Sequence, residues 1–122
     1  MIPVLAALAG GLGAVTRFVV DAQVQRRTTN WRVPLGTVLI NVTGSILLGL
    51  ITGWWTFHTG GPGVRTVLGT GFLGGYTTFS TACVEAARLT RAGIVWGAVA
   101  HALGMLVLSV AGAALGFWLG SL

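Results

Sequence analysis

The sequence predicts an all-α membrane protein of four transmembrane helices with a break in helix three, and three observations carry that prediction. Of 122 residues, 54% are hydrophobic and only 7% charged, which is more apolar surface than a soluble domain of this size encloses. The apolar runs extend from end to end, so residues 1–122 read as a single integral membrane domain with lipid around it. Four stretches, 2–21, 34–57, 64–87 and 94–120, are long enough to cross a hydrocarbon core of roughly 30 Å, which takes about 20 helical residues.

Helix one, IPVLAALAGGLGAVTRFVV, lacks a basic start and is no more apolar than the rest of the chain, so it reads as a span rather than a cleaved signal. Arg17 sits near its end. Its side chain either snorkels to the polar boundary or places a positive charge at a vestibule that concentrates an anion. In helix two, Thr37, Asn41 and Ser45 recur every four residues and share one face. That polar track suits an ion path or a hydrogen-bonded seam equally.

In helix three, Gly74 and Gly75 precede Thr77, Thr78, Ser80 and Thr81, weakening the helix where hydroxyls accumulate. A break is expected there, and irregular backbone at membrane depth persists only where it is buried in protein or lines a cavity. Unwound carbonyls can then bind a cation; a Gly-rich packing contact is the alternative. Gly49/Gly53 and, in helix four, Gly112/Gly116/Gly120 have the four-residue spacing of close helix packing. Trp54, Trp55, Trp96 and Trp118 fall near span ends, as interface anchors do. The connections DAQVQRRTTNWRV, HTGGPG and RLTRAG are short enough for the helices to run up and down.

The net charge of +5 comes from seven Arg and two acids, Asp21 and Glu85. The arginines are dispersed rather than set in a stripe with aromatics, so nucleic acid is not expected as a partner. Arg26, Arg27, Arg32, Arg88 and Arg91 lie on one side of the predicted topology and Arg65 on the other. Five against one places both termini outside.

Enzymatic chemistry finds no footing. Two distant acids and the lone Cys83 form no carboxylate pair or triad, and Cys83 reads as a small buried hydrophobe. His58 and His101 have no second ligand nearby in sequence, so neither suggests a metal centre. Gly69, Gly71 and Gly74 spell a glycine fingerprint without the strand and helix it requires.

Three motifs, GGLGAVTRF at 10–18, PLGTVLINVTGSILLG at 34–49 and TGFLGGYTTFST at 70–81, resemble the Fluc, or CrcB, family of fluoride channels, and all four helices fit in order and length. The resemblance implies an antiparallel dimer of four-helix subunits in the bacterial inner membrane, with two fluoride pores and a sodium ion at the centre of the interface. The backbone carbonyls of Gly74 and Thr77 would hold sodium, a hard ion suited to oxygen ligands. Asn41 would line the pore and Phe79 would present its positive ring edge to fluoride. Thr78, Ser80 and Thr81 are nearby hydroxyls, Thr37 and Ser109 belong to the same polar path, and Arg17, the vestibule residue, matches the family's helix-one arginine. Passive flow down the electrochemical gradient would export fluoride and lower its toxicity.

Two positions depart from the family pattern. The family repeats Phe where this chain has Ala82, and carries a polar residue where it has Met105. With the arginine bias, these suggest that the chain inserts in one orientation and pairs with an oppositely oriented homologue that supplies the absent groups; an ordinary homodimer with the substitutions tolerated is the alternative. Two other readings are a non-transporting assembly subunit and a small proton-coupled multidrug exporter, for which Glu85 is the available intramembrane carboxylate.

Overall fold

A backbone crossing lipid must satisfy its own hydrogen bonds, so long apolar runs become helices. The computed structural model describes residues 1–58 and 61–122. Its elements are α1 (Ile2–Arg27), α2 (Leu35–Phe57), α3 (Pro62–Arg65), a π-helical segment π1 (Thr66–Leu73), α4 (Gly74–Tyr76), α5 (Ser80–Arg91) and α6 (Val95–Ser121). By length and composition α1, α2 and α6 each suffice to cross a membrane. The third pass has two arms: α3, π1 and α4 follow one another without a gap, and α5 resumes beyond Thr77–Phe79. The chain is a multi-pass membrane protein, and the break in its third helix lies where the glycines and hydroxyls meet.

Helix ends differ from expectation because the helices absorb polar connections. α1 continues past 21 to Arg27 and α5 past 87 to Arg91, so Arg26, Arg27, Arg88 and Arg91 occupy last turns rather than loops. Positive charge there complements the carbonyl end of a helix. The first arm of the third pass starts at Pro62, which has no N–H to leave unpaired. Of the HTGGPG connection, residues 59 and 60 lie outside the described residues. Between α5 and α6 the chain reverses at Gly93, whose φ of 78° favours glycine. The Gly93 and Ile94 N–H groups bond back to the Thr90 and Leu89 carbonyls at 3.0 and 2.9 Å.

Glycines set the tightest packing. A Cβ on Gly49 would fall on the Ala113 carbonyl and 2.9 Å from Phe117 N; one on Gly116 would fall on the Ile46 carbonyl and 2.9 Å from Leu50 N. Residue numbers rise together along both helices, so α2 and α6 run parallel. α1 lies against the first arm of the third pass in the same sense, Ala6 meeting Gly71, Gly10 meeting Gly75, and Gly13 meeting Phe72 and Tyr76. The predicted small-residue faces therefore join alternate helices of the up-and-down order.

Ile40, Leu73 and Tyr76 form a small core packed by Val20, Ile51 and Phe72. Most other large apolar side chains, such as Val107, Leu108 and Val110, point outward, as lipid contact requires. Trp54, Trp96 and Trp118 are exposed. Trp55 is half-buried and donates its indole N–H to the Gly61 carbonyl at 3.1 Å, tying the second connection together.

Candidate functional site at the break in the third helix

The break is held open by side chains that replace helical partners. Thr77 leaves the helix with φ −77° and ψ 157°. The next N–H, that of Thr78, would ordinarily bond the Gly74 carbonyl; it donates instead to Asn41 Oδ1 at 2.8 Å. Asn41 Nδ2 completes a two-point clamp by donating to the Thr78 carbonyl at 2.8 Å. The Thr81 N–H, the ordinary helical donor to the Thr77 carbonyl, is taken by Thr78 Oγ1 at 3.2 Å. Gly74 and Thr77 thus both lose the donor four residues ahead, the fate expected of carbonyls at an unwound segment. A hard cation that favours oxygen ligands fits this pair chemically.

The polar track of α2 divides among three partners. Thr37 Oγ1 donates to Glu85 Oε1 at 2.8 Å, Asn41 grips Thr78, and Ser45 lines an open groove of about 750 Å³. That groove also gathers Asn41, Gly74, Thr77, Thr78, Phe79 and Ser109. A smaller cavity of about 200 Å³ is bordered by Arg17, Asp21, Thr37, Thr78 and Thr81. Thr78 borders both, so the Asn41–Thr78 clamp stands between the two spaces. Ser80 borders neither; it is exposed and meets Thr78 Oγ1 at 3.3 Å. Phe79 is 82% exposed on the subunit surface, and half-buried Arg17 lines the smaller cavity with Asp21, one turn further along α1. Cys83, expected to be buried, is exposed at the groove because no helix among the described residues covers that face of α5.

A buried trio of Thr37, Glu85 and His101 has no counterpart among the sequence expectations. His101 Nε2 lies 3.3 Å from Glu85 Oε2, with His101 3% and Glu85 9% exposed. The pair meets without hydrogen-bond alignment, and His101 Nδ1 has no protein partner among the described residues. His101 is therefore not an isolated core histidine. Sixteen positions separate the two residues on different helices, so only the packing of α5 on α6 shows the pairing. The available signal was that both are ionisable groups inside apolar spans. Among the described residues no cluster of three or more metal-ligating side chains forms.

Removing Glu85 leaves the buried Thr37 hydroxyl and the His101 ring without the polar neighbour they share, at a cost of roughly 1–3 kcal/mol. Glu85→Ala is expected to lower thermal stability by about that amount, and Glu85→Ala/His101→Ala to recover part of it. Melting of the four proteins of that cycle in detergent checks the coupling; strictly additive losses would mean that the two residues do not interact.

Residues 4–120 match the family described as CrcB-like protein, Camphor Resistance (CrcB). The chain belongs to the CrcB family. It is 50% identical over 116 residues to a protein of Leifsonia xyli subsp. xyli named fluoride-specific ion channel FluC 1, covering 95% of this chain and 84% of that one. A Cutibacterium acnes protein named fluoride-specific ion channel FluC 2 is 52% identical over 116 residues, covering 93% of each. The Mycobacterium tuberculosis FluC 2 is 42% identical over 113 residues, with 92% of this chain and 85% of that one covered. CrcB membership extends over all four helical passes, including the broken one.

Proposed function

We propose that the chain is a fluoride-specific ion channel subunit that lets fluoride leave the cytoplasm passively across the bacterial inner membrane. The observation that carries this reading is the groove at the break, where the Asn41 amide, the Thr78 and Ser109 hydroxyls and the Phe79 ring come together; the names of its relatives point the same way. Moving a bare anion into an apolar medium costs tens of kcal/mol. Hydrogen bonds to charged groups return roughly 1.5 to 3 kcal/mol each, so a series of donors is required. Asn41, Thr78, Thr81 and Ser109 are the donors of such a series, Thr37 being committed to Glu85; Phe79 adds a ring edge, and Arg17 at the smaller cavity attracts the ion. An inside-negative potential drives anion exit by about 2.3 kcal/mol per 100 mV. The test is efflux from fluoride-loaded liposomes holding the purified chain, read with a fluoride electrode. Rapid fluoride loss without chloride loss is the expected result; no fluoride loss from any assembly containing the chain would sink the reading.

Two carbonyls, those of Gly74 and Thr77, are too few for a hard cation, which takes about six oxygens. An antiparallel second subunit related by a two-fold axis would double them, so sodium belongs to the dimer in this reading. Sodium that binds only the folded assembly adds about 1.4 kcal/mol of stability per tenfold rise in concentration once saturating. The melting temperature is accordingly expected to climb with sodium and not with a bulky organic cation at equal ionic strength. Equal melting curves in the two salts would remove the ion from the proposal.

A heterodimer is the second reading. Five arginines at one end against one at the other favour a single orientation, and an antiparallel partner of the opposite orientation is then a different chain. Purified chain that conducts fluoride alone would exclude an obligate heterodimer.

A further inference from the structure

We propose that the Met105 thioether gates the Asn41 amide, holding its last N–H until an anion displaces the sulfur, and so sets the rate of anion passage through this chain's groove. The proposal deepens the fluoride reading and rests on it.

Asn41 has two amide hydrogens. One serves the Thr78 carbonyl at 2.8 Å; the other points to Met105 Sδ, with the nitrogen 3.2 Å away. The Asn41 carbonyl is engaged by Thr78 N–H, so the amide has no hydrogen left for an ion while the methionine stays in place. α6 carries Ser109 four residues beyond Met105, on the same face. Its buried Oγ has no hydrogen-bond partner among the described residues. Asn41, Met105 and Ser109 all line the one groove.

The chemistry makes this contact reversible. A thioether is a weak acceptor, whereas a hydrogen bond to an ionised acceptor is about twice as strong as a neutral one. Fluoride arriving at Asn41 therefore outcompetes sulfur. Methionine is unbranched and flexible, so it can rotate aside while the backbone of α6 stays packed on α2. An ion in the vacated space meets the Asn41 N–H and the uncommitted Ser109 hydroxyl together.

Met105→Leu keeps the volume and removes the acceptor, and Met105→Thr also removes bulk. Both are compared with the wild-type chain and Asn41→Ala as fluoride efflux per reconstituted protein. Loss of one weak hydrogen bond should raise efflux about fivefold in Met105→Leu, with Met105→Thr at least as fast. The double variant Asn41→Ala/Met105→Leu should be no faster than Asn41→Ala. Met105→Leu at or below the wild-type rate overturns the gate, and should Leu fail to fold, Met105→Thr is judged by the same criterion. Wild-type flux retained in Asn41→Ala would overturn both the gate and the pore role beneath it, which separates the two failures.

Discussion

Asn41→Ala is expected to abolish fluoride efflux and to weaken the fold in the same stroke. The side chain removed is the partner of both the N–H and the C=O of Thr78, and Thr78 is buried. Each backbone group left without a partner costs roughly 1–3 kcal/mol, so a loss of about 3 kcal/mol is expected beyond the loss of the pore amide. Asn41→Asp keeps an acceptor for the Thr78 N–H but sets its second carboxylate oxygen against the Thr78 carbonyl and offers no donor to an anion. Efflux should vanish and the melting temperature should fall in both variants. Full flux with a lowered melting temperature would leave the clamp as a structural device and put the ion path elsewhere.

Gly116→Leu is expected to leave no folded protein. A Cβ at that position lands on the Ile46 backbone carbonyl, and both neighbours are helix backbone that cannot swing away. In lipid, helices associate through close van der Waals contact rather than a hydrophobic drive, so pushing α2 from α6 removes what holds them. Gly104→Ala is the matched control on the same helix, since nothing lies within 4 Å of its Cβ position. It should stay within about 0.5 kcal/mol of wild type. Size exclusion in detergent distinguishes the two, and a monodisperse Gly116→Leu would contradict the glycine-mediated packing of α2 on α6.

Much of this fold was legible in the sequence because lipid leaves few options. Apolar length located the helices, and glycine spacing located the face at which α2 and α6 meet, though not the one between α1 and the third pass. The site of the break was legible too, since Gly74, Gly75 and the hydroxyls after them weaken a helix locally. Helix ends were less so: Asp21 to Arg27 looks like a loop by polarity, yet it continues α1 because the chain there already lies near the membrane surface and loses nothing by staying helical. The π-helical turn pattern of Thr66–Leu73 leaves no mark in hydrophobic periodicity. Tertiary partners were hidden altogether. Thr37, Asn41 and Ser45 look equivalent at four-residue spacing, and only the placement of Glu85, Thr78 and the groove gives each a different task. Met105 reads as the loss of a polar group, but the fold turns it into a hydrogen-bond acceptor.

The manner in which the third helix is interrupted has one more consequence. Asn41 and Thr78 supply the missing turn's hydrogen bonds from within the chain, so the unwound shape is the resting shape and needs no guest to create it. Any ion that came to the Gly74 and Thr77 carbonyls would meet backbone already unwound and would not have to drive an unfolding step. Its arrival and departure should therefore leave the helical content of the subunit unchanged, and occupancy would be read in rigidity and melting rather than in shape.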